Sequence, residues 1–215
     1  MSKVVKNIKK TLLSLLVLGM GTSGMVGCSR TGIGAVPNSE VKSLALIVVP
    51  NKGRVDVLDT QINRVIQSLK TDDGPSSIAV SPDGRQILVT NTTSGTVSVF
   101  LRRDNETFQE LNPVGSGVRP IGIAFNPNSQ LYSEAYVAYE GSGSDGKILI
   151  LDTRDKSASP KIRQVISLPD SQPRKIVVSK DGNRVFITDG LNDRIITLVK
   201  TGNNFSKNFS QPFDQ

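Results

Sequence analysis

The side chains available for chemistry are few in kind, because the 215-residue chain contains no histidine and a single cysteine, Cys28. Without histidine it cannot form a Ser-His-Asp or Cys-His catalytic group or a histidine-ligated metal site. One cysteine also excludes an internal disulfide and a thiolate metal site. The remaining carboxylates, amines, guanidiniums and hydroxyls suit carboxylate-pair hydrolysis or an oxygen-ligated cation such as calcium. The sequence assigns no catalytic residue, and we expect neither a cofactor nor a metal.

Cys28 ends a segment with the pattern of a secretory signal: a lysine-rich start, an apolar run over residues 12–26, and small residues before the Gly27-Cys28 junction. A cysteine directly after the cleavage point resembles the lipobox of bacterial lipoproteins, although Met25 stands where leucine is commoner. The resemblance implies that Cys28 is acylated and becomes the mature N-terminus. The alternative of a permanent membrane helix needs about 20 apolar residues, whereas residues 11–26 include three glycines.

These features divide the chain into a signal peptide over residues 1–27, a lipidated N-terminus and tether over 28–31, and a domain over 32–215. A fully acylated cysteine can hold a protein on a bilayer without a spanning helix. We therefore expect the protein in the bacterial cell envelope, tied to the membrane by its lipid. Because Ser29 is neither aspartate nor basic, we expect the outer membrane or cell surface rather than the inner membrane.

The net charge of +7 comes largely from the signal peptide. Residues 1–27 contain four lysines and no acidic residue, so 22 basic and 19 acidic residues remain after their removal, a net charge of +3. No basic run interleaved with aromatic residues follows residue 30. The composition therefore argues against a nucleic-acid partner.

The rest of the chain is periodic. A ten-residue segment that begins with proline occurs at residues 75–84, 120–129 and 173–182, with spacings of 45 and 53 residues. The three copies end in Ser-Pro-Asp-Gly, Asn-Pro-Asn-Ser and Ser-Lys-Asp-Gly. Ungapped comparison of residues 32–49 with 122–139 matches Pro37-Asn38-Ser39 with Pro127-Asn128-Ser129. This match adds a degenerate first copy of the repeat, with an inner strand at residues 32–36. The alternative for this region is a disordered tether over residues 29–44. A period near 45 residues is typical of propeller blades.

Short β-branched runs with period-two alternation follow each repeat, and no stretch of helical period competes with them. The alternation predicts that Val97 and Val99 share one sheet face with Ser98 on the other. It likewise places Ile148 and Ile150 on one face and Leu149 on the opposite face. The domain is predicted to be all-β.

Residues 74–100 resemble the YVTN-type β-propeller repeat, in which an inner strand ends in a Ser-Pro-Asp-Gly turn and the next strand carries a Tyr-Val-Thr-Asn-like core. That core stands here as Leu88-Val89-Thr90-Asn91 and as Phe186-Ile187-Thr188-Asp189. The third repeat departs from the pattern at Ala138-Tyr139. The resemblance implies a β-propeller, in a superfamily that includes lactonases.

Four repeats predict about four four-stranded blades, whereas YVTN-type proteins resemble seven-bladed rings, which need over about 300 residues at this period. The chain therefore forms either an incomplete arc of a larger propeller, which we favour, or a small closed ring of four blades. An arc leaves the terminal blades exposed, and we expect a protein partner or self-association there.

Two arginines stand beside the prolines that open inner strands: Arg119 before Pro120 and Arg174 after Pro173. Loops from the second to the third strand and from the fourth strand to the next blade share one face. Because the inner strands surround the propeller axis, both arginines should lie on this face near the axis. Paired guanidiniums suit a carboxylate or another anion. Asn91 and Asp189 occupy equivalent positions in their repeats and should add contacts at the rim of this binding face.

Three functions remain open at this point. The first, which we favour, is a lipid-anchored propeller that acts as a ligand- or protein-binding or scaffold module. The second is a lactonase-like hydrolase, which the lack of histidine and the small number of blades disfavour. The third is a truncated propeller without independent function. Fold alone does not choose among them.

Overall fold

The computed structural model describes residues 15–17, 43–104, 107–128 and 133–212. Within these residues the regular structure is sixteen β-strands and one short 3-10 turn, Pro50–Lys52, which confirms the all-β prediction. The strands are β1 (Leu15–Val17), β2 (Leu44–Val49), β3 (Arg54–Asp59), β4 (Arg64–Lys70), β5 (Pro75–Val80), β6 (Gln86–Asn91), β7 (Thr96–Arg102), β8 (Phe108–Val114), β9 (Pro120–Phe125), β10 (Glu134–Tyr139), β11 (Asp145–Asp152), β12 (Lys161–Pro169), β13 (Pro173–Val178), β14 (Arg184–Asp189), β15 (Arg194–Thr201) and β16 (Asn204–Phe209).

Each successive group of four strands forms one antiparallel sheet in which neighbours in sequence are neighbours in space. We call these sheets blade 1 (β1–β4), blade 2 (β5–β8), blade 3 (β9–β12) and blade 4 (β13–β16). The first strands of blades 2, 3 and 4 line up side by side, since β9 contacts both β5 and β13. This arrangement is that of a β-propeller, with the four blades that the repeats predict.

The first strand of blade 1 is β1, which pairs with β2 through Leu16 and Leu46 among other partners. Two sequence-based assignments, an inner strand at residues 32–36 and acylation at Cys28, lie outside the described residues. β1 itself falls within the predicted signal peptide. Both assignments therefore stay predictions.

The predicted alternation of side chains is confirmed in the two best patterned blades. Val97 and Val99 pack together between blades 2 and 3, whereas Ser98 bonds to Asn91 on the other side of the strand. Ile148 and Ile150 pack between blades 3 and 4, while Leu149 points to the opposite core. Each central blade thus contributes one side of its sheet to each neighbouring core.

Three hydrophobic cores connect the described parts of the four blades, one for each pair of consecutive blades. A closed ring of four would require a fourth core joining blade 4 to blade 1, and none occurs among the described residues. The domain is therefore an incomplete propeller arc. Within the part of the chain that the structure describes, no blade covers the outer side of blade 4.

The turn Ser81-Pro82-Asp83-Gly84 has a structural role. Gly84 adopts φ 71°, and its amide donates to the carbonyl of Ser81 at 2.8 Å. Asp83 accepts hydrogen bonds from the Ser81 hydroxyl at 2.5 Å and from the Arg85 amide at 3.2 Å. Although partial burial opposes ionisation, these bonds lower the pKa of Asp83. The aspartate is a turn former, as its position in the repeat predicts.

Candidate functional site

The arc has two ends with different loops. We call the end at which β6, β10 and β14 finish the upper face, and the end that carries the Ser-Pro-Asp-Gly turns the lower face. Arg119 and Arg174 both lie on the upper face, the first directly before β9 and the second as the second residue of β13. Arg119 adopts φ 58°, an uncommon conformation for a residue with a side chain. Its carbonyl accepts the Glu140 amide at 3.0 Å, which ties this turn to the end of β10.

Glu140 brings the two arginines together. Arg119 Nε donates to Glu140 Oε2 at 2.7 Å, and Arg174 Nη2 lies 2.8 Å from Glu140 Oε1. The carboxylate is buried, with 8% of its side chain exposed, whereas the side chains of Arg119 and Arg174 are 53% and 42% exposed. We call these three residues the arginine pair cluster. One carboxylate between two guanidiniums leaves a net charge of +1 at a solvent-facing edge.

Arg174 is held in place from two further directions. Its Nη2 donates to Gln172 Oε1 at 3.4 Å, and a Cβ added to Gly190 would come within 2.4 Å of Arg174 Nε. The guanidinium of Arg174 therefore lies against the backbone of Gly190, directly after the end of β14. This packing orients Arg174 toward Glu140.

Asn91 and Asp189 also lie at the upper ends of their strands, but below the surface. Asn91 is buried and donates to Thr96 Oγ1 at 3.2 Å and Ser98 Oγ at 2.8 Å. Its side chain thus braces the turn between β6 and β7. Its contact with a ligand stays a prediction.

Asp189 organises the last loop of the upper face. Its carboxylate accepts hydrogen bonds from the amides of Gln172 and Leu191, from Asn192 Nδ2 and from Arg194 Nε, at 2.9–3.1 Å. Burial opposes ionisation, but these donors outweigh it and lower the pKa of Asp189. Both carboxylate oxygens are therefore already engaged in holding the loop, and Arg119 and Arg174 present more accessible donors.

The lower face contains a charged cluster that the sequence analysis missed. Lys200 Nζ lies 2.7 Å from both oxygens of Glu134, and the hydroxyl of Tyr136 donates to Glu134 Oε2 at 2.7 Å. Arg163 also pairs with Glu134. Burial, with the nearby charge of Arg163, lowers the pKa of Lys200 to about 8. For Glu134 and Lys200, the available sequence signal was a charged residue at or near the end of a largely apolar strand.

Glu134, Arg163 and Lys200 line a cavity of about 540 Å³ between blades 3 and 4. Arg154 lies at its mouth, where it forms two hydrogen bonds from Nε to Asp152 at 2.9 Å. Each carboxylate in the cavity is thus neutralised by protein cations. Among the described residues, no group of three or more acidic, cysteine or histidine side chains is placed to hold a metal. Nor does any described helix have the length and apolarity to cross a membrane.

The burial of Tyr139 predicts that the stability of the protein falls at alkaline pH. It is buried between blades 2 and 3, and burial raises its pKa to about 12 from an ordinary value of 10. The phenol ionises earlier in the unfolded chain, so its contribution to stability is complete below pH 10 and is lost as the pH rises toward 12. We expect Tyr139→Phe to lose less stability between pH 9 and 11 than the wild type does. Urea unfolding at both pH values measures this, and equal losses would contradict it.

Comparison with known proteins supports the fold. No protein-family model matches the chain, and no curated protein matches its sequence. A crystal structure from Bacteroides uniformis described as a putative 6-phosphogluconolactonase superposes with a TM-score of 0.67 at 12% identity, covering 81% of this chain and 53% of its own. One from Bacteroides fragilis with the same description gives the same four values. A functionally unknown protein from Desulfotomaculum acetoxidans gives a TM-score of 0.63 at 21% identity, covering 78% and 51%.

The fold is a β-propeller. At these identities the likeness concerns the fold alone. The chain spans about half the length of the solved structures that it matches. This agrees with an arc of four blades.

Proposed function

We propose that the protein is a lipid-anchored envelope propeller that binds an anionic ligand or the acidic group of a protein partner through its upper face. The observation that carries this proposal is the arginine pair cluster, in which two half-exposed guanidiniums converge on one buried carboxylate. Glu140 holds both guanidiniums in place before any ligand arrives. Preorganised donors of this kind bind planar carboxylates in pairs at reduced entropic cost.

The cluster retains capacity for a ligand. Arg119 engages Glu140 through Nε, and Arg174 engages it through one terminal nitrogen. A guanidinium carries five N–H donors, so each arginine has further donors to offer an anion. The net charge of +1 favours that anion over a cation. Loops on a rigid scaffold are a common location for such binding.

We expect a variant that removes all three charges, Arg119→Gln with Arg174→Gln and Glu140→Gln, to lose binding of succinate as a test anion. Removing the arginines alone would leave Glu140 buried and unpaired, at a cost of about 3–5 kcal/mol. The triple change avoids that cost, so its unfolding midpoint should stay near that of the wild type. Chemical-shift titration of the full chain measures binding, with Lys175→Gln as a control for a neighbouring exposed charge. Succinate shifts that persist in the triple variant would exclude this cluster as the site.

The lipid anchor is tested separately. Labelled palmitate should enter the wild-type protein in bacterial cells and should not enter Cys28→Ser, because the thiol is the acyl acceptor that the lipobox resemblance implies. The variant should also leave the membrane fraction, and fractionation should place the wild type with the outer membrane. Equal labelling of both proteins would refute the anchor without bearing on the upper face.

We also propose that the free side of blade 4 binds a protein partner or a second copy. Val177 is 59% exposed there, between Ile176, which is buried in the core, and the half-buried Val178. Exposed apolar sheet faces favour association. Sedimentation of the full chain and of Val177→Lys tests this proposal, since the wild type should associate and the variant should do so less.

A second candidate function is lactone hydrolysis, favoured by the structural likeness to the two Bacteroides proteins described as putative 6-phosphogluconolactonases. The contacts of Glu140 argue against a general base there, because each of its two carboxylate oxygens is already paired with a guanidinium. Assay of the full chain with 6-phosphogluconolactone separates the two functions. Turnover lost in Glu140→Gln would establish the hydrolase instead of the binding module.

A further inference from the structure

Besides the cavity of the lower face, the arc has a cavity of about 540 Å³ on its upper face. It lies between blades 1 and 2, whereas the arginine pair cluster lies between blades 3 and 4. Two short connections form its walls: the 3-10 turn that joins β2 to β3, and residues 71–74, which join β4 to β5. The Thr71 amide donates to the Gly53 carbonyl at 3.0 Å and ties the two walls together. The cavity is therefore part of the junction between the blades rather than a gap between unconnected loops.

The charges that line this cavity are mostly positive. Lys52, Arg54 and Lys70 line it together with one acid, Asp73. The nearby Asp56 is already engaged, since it lies 2.9 Å from Arg54 and accepts the Ser68 hydroxyl at 2.6 Å. With Asp56 counted as the partner of Arg54, three cations face two carboxylates, which leaves an excess of one positive charge at the cavity.

Two buried polar atoms of the lining have no hydrogen-bond partner among the described residues: Arg54 Nε and Thr71 Oγ. Arg54 Nε is close to Asp56 Oδ1, but its N–H does not point at that oxygen. Thr71 is 5% exposed. A buried polar group without a partner costs about 1–3 kcal/mol, so such atoms are rare unless an unseen group satisfies them.

We propose that this cavity binds a phosphate monoester. Whereas a carboxylate offers two acceptor oxygens to the donors of this lining, a phosphate monoester offers three. Its three terminal oxygens can accept from Lys52, Lys70 and Arg54 at once, and the Thr71 hydroxyl adds a fourth donor. The cavity volume exceeds that of phosphate and leaves room for a small polar group esterified to it.

This proposal is independent of the arginine pair cluster, which lies between blades 3 and 4. Each cluster can be removed without touching the other, because they share no residue. The upper face would then carry two anion sites with different donor groups. The phosphate monoester site uses ammonium groups as point charges, and the arginine pair cluster uses paired guanidiniums.

The test is calorimetric titration of the full chain at pH 8 and low salt with inorganic phosphate, glycerol 2-phosphate and acetate. We expect the two phosphates to bind and acetate to bind at least about tenfold more weakly, because it carries half the charge. Lys52→Ala with Lys70→Ala should weaken phosphate binding by at least about tenfold. Thr71→Val, which keeps the shape of the side chain, should weaken it to a smaller extent. Lys175→Ala with Lys180→Ala removes the same charge from exposed positions elsewhere and should leave binding unchanged.

The triple variant of the arginine pair cluster distinguishes the two sites. It should lose succinate binding and keep phosphate binding, while the Lys52 and Lys70 variant should do the reverse. Equal phosphate affinity in the wild type and in the Lys52 and Lys70 variant would overturn the proposal. An equal loss in the exposed lysine control would also overturn it, since it would reduce the effect to general surface charge.

Discussion

Lys200→Met is expected to destabilise the protein by about 3–5 kcal/mol, the range for removing one partner of a buried ion pair. Lys200 and Glu134 are 2% and 3% exposed at their side chains and lie 2.7 Å apart. Once the ammonium is gone, Glu134 keeps only Tyr136 and Arg163 to offset the cost of burying its charge. Urea unfolding at pH 7 measures the change in the free energy of unfolding.

The matched variant Lys200→Met with Glu134→Gln should recover most of this loss, because it leaves no buried charge unpaired. Arg163→Gln serves as the control: this arginine binds the same carboxylate but is 28% exposed, so its removal should cost less than that of Lys200. A cost below about 1 kcal/mol for Lys200→Met would place the pair in the range of exposed ion pairs and refute its burial.

Ile150→Ala is expected to cost about 2–5 kcal/mol, because the change leaves a cavity in a packed core. Ile150 is fully buried between blades 3 and 4, next to Ile148 and Ile196. The loss should therefore loosen the contact of the last blade with the rest of the arc. Reversible chemical unfolding measures it, and blade 4 should show faster hydrogen exchange in the variant.

Val165→Ala is the control for this prediction. Val165 lies on β12 of the same sheet and is 53% exposed, so truncation there should change stability by less than about 0.5 kcal/mol. A change of that small size at Ile150 would contradict its place in the core. It would also contradict the register in which Ile150 and Leu149 face opposite sides of the sheet.

The second and third strands of the blades could be predicted from the sequence. Their alternation of apolar and polar residues directly reflects the two sides of a sheet, as Val97, Ser98 and Val99 show. The outermost strands lack this signal, because one side of each is largely exposed. β8, for example, is half-exposed or exposed after Phe108 and contains Pro113.

The candidate sites divide in the same way. Arg119 and Arg174 could be placed on one face from the sequence, since each stands beside the proline that opens an inner strand. Their shared partner could not be predicted, because Glu140 comes from the end of a different strand from either arginine. Asn91 and Asp189 also lie where the repeat places them, but their burial depends on loops that fold over them.

By itself the sequence determined the repeat, the all-β class, the number of blades and the turn residues, because each depends on the order of side chains within about 45 residues. The tertiary structure alone decided which charges meet. The Glu140 bridge, the Lys200–Glu134 pair and the basic cavity between blades 1 and 2 each join residues from separate strands or blades. The strength of such contacts depends on distance and burial, and both are properties of packed blades rather than of spacing along the chain.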